Sequence, residues 1–288
     1  MRKILKWLGI ILGVLVLLVL VLSTILYFVG KGKLDKTYEV KAQTLTIPTD
    51  ETARERGQHL VEAVSICTEC HGNNLGGDVL LDNAVLGKFI APNLTAGKGG
   101  IGGTFDAEDY VRAIRYGVDE DGKPLLGMPS NSFATYSDAD LGSIIAYLQA
   151  VPAVDHEAGE SEFGLPLYVM IGTGLMGDLP ADKVEDGQWE NAPEPGVTAE
   201  YGNYLISAAS CRDCHGDDLT GGTGMAGPKG PDLTEVGQWS EADFMRTLRT
   251  GLTPDDKRLD SEEMPWDYYT YMTDEELQAI WTYLQTLD

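Results

Sequence analysis

The chain is poor in the side chains that usually staple folds or hold metals. Its 288 residues include four cysteines and four histidines. The cysteines fall only in Cys67-Thr68-Glu69-Cys70-His71 and Cys211-Arg212-Asp213-Cys214-His215, so none is left over for a structural cross-link. Basic residues are scarce too, 21 Lys and Arg against 45 Asp and Glu, for a net charge of −24. That balance excludes nucleic acid as a partner, since phosphates must be neutralised by Lys and Arg. It suits docking against a basic protein surface. Long uncharged runs are equally rare. One, Trp7 to Val29, is long enough to cross a bilayer, which takes about 20 apolar residues. A second, Leu165 to Met176, is broken by Pro166, Gly172 and Gly174 and is too short.

What is present is the Cys-x-x-Cys-His pattern, twice. It reads as covalent haem attachment. Two thiols three positions apart can add to the two vinyl groups of one porphyrin, and the next residue, His, then lies under the ring and can ligate the iron. A zinc ribbon would set its cysteine pairs about 15–20 residues apart, far closer than these two. A thioredoxin-like pair needs a strand–helix unit that the sequence does not offer. Two small disulfides would leave His71 and His215 without a reason. The cofactors expected are therefore two covalently bound c-type haems, held by Cys67, Cys70, Cys211 and Cys214, with His71 and His215 on the irons.

Around these motifs the chain repeats itself. Gly57-Gln58-His59-Leu60 matches Gly202-Asn203-Tyr204-Leu205, and Cys70-His71-Gly72-Asn73-Asn74-Leu75 matches Cys214-His215-Gly216-Asp217-Asp218-Leu219. Pro92-Asn93-Leu94-Thr95 matches Pro231-Asp232-Leu233-Thr234, and Met128-Pro129 matches Met264-Pro265. A helix over Phe105 to Tyr116 stops at Gly117, and its counterpart over Trp239 to Thr250 stops at Gly251, the expected helix terminator. Final helices begin at Ser137 and Thr273, the second with Glu276 placed for a capping box.

The repeat nominates further ligands. Met128 precedes Tyr147 by the same interval as Met264 precedes Tyr283. Met is a soft iron ligand, and Met/His ligation raises the reduction potential. Met128 and Met264 are thus the candidate sixth ligands. Met225, Met245 and Met272 have no counterpart in the first copy and read as core filler. A ligating His usually donates its other ring N–H to a carbonyl or carboxylate; the carbonyls of Pro92 and Pro231 are the candidates. Leu94 and Leu233 would then border the rings. Arg112, Arg115, Arg246 and Arg249 are candidates for the haem propionates, or else for a solvated helix face. His59 reads as a surface residue and His156 as a linker residue.

The boundaries read as follows: a tail over 1–6, a transmembrane anchor over 7–29, a polar tether over 30–48, a first haem domain over 49–155, a linker with an apolar patch over 156–195, and a second haem domain over 196–288. The uncharged run exceeds the 7–15 apolar residues of a signal peptide and no small-residue cleavage site follows it, so the anchor is expected to stay. The apolar patch is expected to pack between the haem domains. Lys and Arg flank the anchor on both sides, which leaves the positive-inside rule indecisive.

The Gly-x-x-Leu helix, Cys-x-x-Cys-His-Gly, Pro-Asn-Leu-Thr, Met-Pro and a last helix with Tyr-Leu resemble class I cytochrome c domains. Ala91 to Thr95, Gly100-Ile101-Gly102, Phe105 to Gly117 and Met128-Pro129 are similar to the cytochrome subunits of membrane-bound alcohol, aldose and gluconate dehydrogenases, as is Phe163-Gly164-Leu165-Pro166. Those subunits typically carry three haem domains; this chain has two. The resemblance implies an all-α fold, an N-terminal transmembrane helix followed by two tandem class I cytochrome c domains. It also implies haem attachment outside the bacterial cytoplasmic membrane, hence haem domains on the periplasmic or extracellular side and a cytoplasmic N-terminus. The expected role is an electron carrier, not an enzyme. It would link a dehydrogenase or quinol-oxidising complex to a terminal oxidase or another cytochrome. The alternatives are a dihaem cytochrome c peroxidase and the dihaem subunit of a haem-copper oxidase.

Overall fold

The computed structural model describes residues 2–184, 191–222 and 230–287. It begins with α1 (Arg2–Asp35), a single apolar helix whose first twenty-odd residues are exposed. The first copy follows. α2 (Glu51–His59) is capped by the Asp50 carboxylate, which accepts from Ala53 N–H, and runs on through a π turn, Leu60–Val64, towards α3 (Cys67–His71). β1 (Asp78–Asn83) and β2 (Gly87–Ala91) form a hairpin. α4 (Ala107–Val111) continues as a second π turn, Arg112–Tyr116, and ends at Gly117, whose φ of 66° is the left-handed stop. α5 (Ser130–Phe133) and α6 (Asp138–Leu148) close the copy. After β3 (Glu162–Phe163), α7 (Leu165–Thr173) and α8 (Pro180–Lys183) come the second copy's α9 (Ala199–Ala208), α10 (Cys211–His215), α11 (Glu241–Thr250), α12 (Trp266–Tyr269) and α13 (Asp274–Leu284).

Each copy is built on one helix crossing, α2 on α6 and α9 on α13. Glycine makes both possible. A Cβ on Gly57 would sit 1.9 Å from the Ser143 carbonyl oxygen, and one on Gly202 would sit 2.0 Å from that of Ala279. Leu60, Val61 and Val64 pack with Leu141, Ile144 and Ile145; Leu205 and Ile206 pack with Leu277, Ile280 and Leu284. All belong to one continuous apolar cluster spanning both copies. Each such side chain contributes about 1.5–3 kcal/mol on burial, which is why the crossings define the fold.

The structure corrects three expectations. The fold is mostly helical but not all-α: β1, β2 and β3 make a three-stranded antiparallel sheet. The cause is local. Asn83 Oδ1 accepts from the N–H groups of Val85 and Leu86, which turns the chain, and Gly87 completes the reversal at φ 99°. A side chain at Gly87 would strike the Glu162 carbonyl, so the glycine also admits β3. Second, the apolar patch over Leu165 to Met176 does not lie between the haem domains; its helix α7 packs against α1. Third, the segment expected as a polar tether is helical as far as Asp35 and strapped to the first copy beyond it. Tyr38 N–H donates to Gly122 O at 2.9 Å, Lys36 pairs with Asp182 at 2.7 Å, and Gln43 donates to Asp138 at 2.7 Å. Ala42, Leu45 and Ile47 lie against the core.

Candidate haem sites

The two Cys-x-x-Cys-His segments adopt the same unusual entry. Ile66 and Ser210, the residues just before α3 and α10, are held left-handed at φ 44° and 57°. Leu75 and Leu219 repeat this at φ 57° and 63°. Non-glycine residues pay about 1–3 kcal/mol for such backbone, and it gathers at functional sites. Gly77 N–H donates to His71 O at 2.8 Å, and Gly221 N–H to His215 O at 2.9 Å. Leu94 N–H reaches Leu75 O, and Leu233 N–H reaches Leu219 O, both at 2.8 Å. These bonds bring Pro92 and Pro231 back over the histidines.

His71 Nδ1 stands 2.8 Å from Pro92 O, and His215 Nδ1 stands 2.8 Å from Pro231 O. A carbonyl can only accept, so Nδ1 carries the proton and donates. Nε2 is then the bare lone pair on each ring. Burial pushes both imidazole pKa values down, against the opposing pull of the proline carbonyl, which favours the neutral form that binds metal. The four cysteines form no disulfide with one another. Burial pushes Cys67 and Cys211 up to about 12 and Cys70 up to about 11. Each site thus offers two protonated thiols one helical turn apart and one oriented imidazole nitrogen, the donor set a covalent haem requires.

The Pro-Asn-Leu-Thr and Pro-Asp-Leu-Thr turns are equivalent. Asn93 Oδ1 accepts from Thr95 N–H and Oγ1, and Asp232 Oδ1 accepts from Thr234 N–H and Oγ1. The Met-Pro segments also match. Pro129 has φ −79° and ψ 55°, and Pro265 has −75° and 54°. Ser130 N–H reaches Met128 O at 2.8 Å and Trp266 N–H reaches Met264 O at 2.7 Å, the inverse γ-turn in both copies. Met128 and Met264 are partly buried against the core. Met272 is buried and Met245 packs on the core; Met225 lies outside the described residues.

The four arginines have protein partners. Arg115 is fully buried and meets Asp138 at 2.9 Å, while Arg249 meets Asp274 at 2.6 Å, each tying the helix before Met-Pro to the start of the last helix. Arg112 pairs with Asp109 and Arg246 with Asp256. His156 Nδ1 lies 2.8 Å from Gly76 O and fastens the linker to the first haem loop.

The sequence reading missed the contact between the copies. His59 is not a plain surface residue. Its Nε2 lies 2.8 Å from Glu276 on α13, and the equivalent residue of the second copy, Tyr204, donates to Asp140 on α6 at 2.6 Å. The pairing is reciprocal: each copy's first helix bonds the other copy's last. Arg56 sits between, 3.0 Å from Asp140 and 3.5 Å from Glu276. The attachment segments also touch. Ser65 Oγ donates to Ala208 O at 3.3 Å, and Asp213, beside Cys214, accepts from Asn131 and Ser132 of the first copy. The only hint in the sequence was a matched pair of acidic positions, Asp140 and Glu276.

Comparison with known proteins identifies the kind of domain that carries these motifs. Residues 199–288 match the family model described as Cytochrome c, and residues 52–148 match that of Cytochrome C oxidase, cbb3-type, subunit III. The protein is a c-type cytochrome with two cytochrome c domains and two covalently bound haems. Within that class it is similar to the fructose dehydrogenase cytochrome subunit of Gluconobacter japonicus, 25% identical over 86% of this chain and 56% of that protein. It is also similar to the alcohol dehydrogenase (quinone) cytochrome c subunit of Gluconobacter oxydans, 25% identical over 83% of this chain and 55% of that one. A diheme cytochrome c-type protein of Cereibacter sphaeroides is 27% identical over 62% of this chain and 64% of its own length. The chain spans about half the length of the dehydrogenase cytochrome subunits it matches.

Proposed function

We propose that this chain is a membrane-anchored dihaem electron carrier that accepts electrons from a dehydrogenase and passes them to a terminal oxidase or another cytochrome. Cys67 and Cys70 would hold one haem and Cys211 and Cys214 the other. His71 and His215 are the proximal ligands, oriented by Pro92 and Pro231, and Met128 and Met264 are the distal ones, with Leu94 and Leu233 bordering the rings. The haem iron supplies one-electron chemistry; the protein supplies ligation, burial and a short path between centres. Residues 49–155 and 196–288 are the two haem domains, 7–29 the bilayer span, and the haem side is the periplasmic or extracellular one.

The observation that carries this reading is the duplicate geometry at both ligand positions: the same His–Pro carbonyl bond and the same Met-Pro turn in each copy. A peroxidase needs one iron with an open or displaceable position, and so would be expected to differ between copies. The dehydrogenase partner is supported by the relatives' names and by the strongly acidic surface. The test is carbon monoxide binding by the purified ferrous protein, alongside a pyridine haemochrome assay. Two haems per chain, both inert to carbon monoxide, are expected; one reactive haem would favour the peroxidase.

A further inference from the structure

α7 carries none of the candidate haem ligands, yet it is strongly apolar. From Leu165 to Gly177 the chain holds no charged side chain. Part of this surface is spent on α1. The two helices meet through glycine at both sides of the contact. A Cβ on Gly30 would lie 1.9 Å from Tyr168 O, and one on Gly172 would lie 2.0 Å from Leu26 O. Small residues permit such close backbone approach between membrane helices. Tyr27 packs edge-on against Phe28 and Tyr168, with ring centroids 5.3 and 5.2 Å apart. Apolar side chains around the contact remain exposed: Leu165 at the start of α7 by 59%, Leu175 just past its end by 74%, and Phe28 beside it on α1 by 65%.

The position of the contact along α1 says what covers it. Leu26 to Gly30 are the end of the uncharged run, and Lys31 and Lys33 follow at once. At 1.5 Å per residue, the run from Trp7 reaches this level after about 30 Å, the thickness of the hydrocarbon core. Aromatic side chains gather at that depth. Tyr27, Phe28 and Tyr168 therefore sit where the acyl chains give way to headgroups on the haem side.

We propose that α7 is a membrane-interface helix, buried at the headgroup–acyl boundary beside the end of α1 and covered by lipid. The proposal rests on the reading of α1 as a bilayer span. The chain then has two attachments, one crossing and one lying in the surface, and together they fix the tilt of the haem domains. The test places a spin label at Leu175→Cys and, separately, at Val14→Cys in the full holoprotein, whose own cysteines are consumed by haem. After reconstitution into phosphatidylcholine–phosphatidylglycerol vesicles, collision with oxygen and with a water-soluble nickel chelate reports depth. The expected result is a deep label at Val14 and a shallow, chelate-shielded one at Leu175. Val14 deep with Leu175 fully open to the chelate would overturn the interface helix and leave the anchor standing. Leu175 as deep as Val14 would overturn it by making α7 part of the hydrocarbon core. An aqueous Val14 would remove the anchor and this inference with it.

Discussion

Met128 and Met264 are each held one residue ahead of the same proline turn, on segments fixed by the helix behind them. Met128→Ala and Met264→Ala should each reduce the weak near-infrared sulfur-to-iron band of the ferric protein by about half and lower that haem's potential. The double variant should lose the band. A band unchanged in Met264→Ala would move the ligand elsewhere, Met225 included. Glu276 makes a different prediction. Burial alone would raise its pKa, but the bond to His59, that residue's charge, the Thr273 N–H and Arg56 together bring it below the ordinary value. A depressed carboxylate adds stability above its unfolded pKa and loses it as pH falls through the folded one. The contact between the copies should hold at neutral pH and fail below the ordinary carboxylate range. Glu276→Gln should cost about 1–3 kcal/mol at pH 7 and flatten that acid dependence, read from urea unfolding across pH. The ligand candidates were legible because the sequence states them twice at matched offsets. His59 was not, because its partner lies in the other copy and nothing local to His59 names it.

Among the elements, the two crossings are the least tolerant. Gly202→Ala would drive a methyl into the Ala279 carbonyl, and overpacking of this kind costs about 1–3 kcal/mol or more. The expected outcome is a lower urea midpoint for the second copy, with haem content at that site reduced, while the first haem keeps its spectrum. Loss of both haems would mean the copies do not fold separately. The helices themselves were readable from caps and stops: Ser137 and Thr273 do start α6 and α13, and Gly117 and Gly251 do end their helices. The hairpin was readable in principle, since Asn83 and Gly87 separate two short apolar runs. It escaped because Val79 to Leu81 and Phe89 to Ala91 are too short to show a period. The π turns, Leu60–Val64 and Arg112–Tyr116, left no mark in the sequence pattern.

For the molecule as a whole, the anchor is open to direct measurement. The mature protein should begin at or near Met1 by mass spectrometry; a start after Gly30 would make it an exported soluble cytochrome. Composition and the uncharged run made the long apolar helix α1 visible, whereas the path of the chain after it was hidden, because extended strapping has no periodicity. That strapping changes how the protein meets others. As a free coil, the residues between Asp35 and Asp50 would let the first domain roam over about 20 Å. Bound to Gly122, Asp138 and Asp182, they give no such leash. With α1 in a bilayer, the cytochrome cannot fish for partners above the surface. Its encounters would then reduce to a search in two dimensions, in which a partner that shares the membrane would have the advantage over one that drifts past in solution.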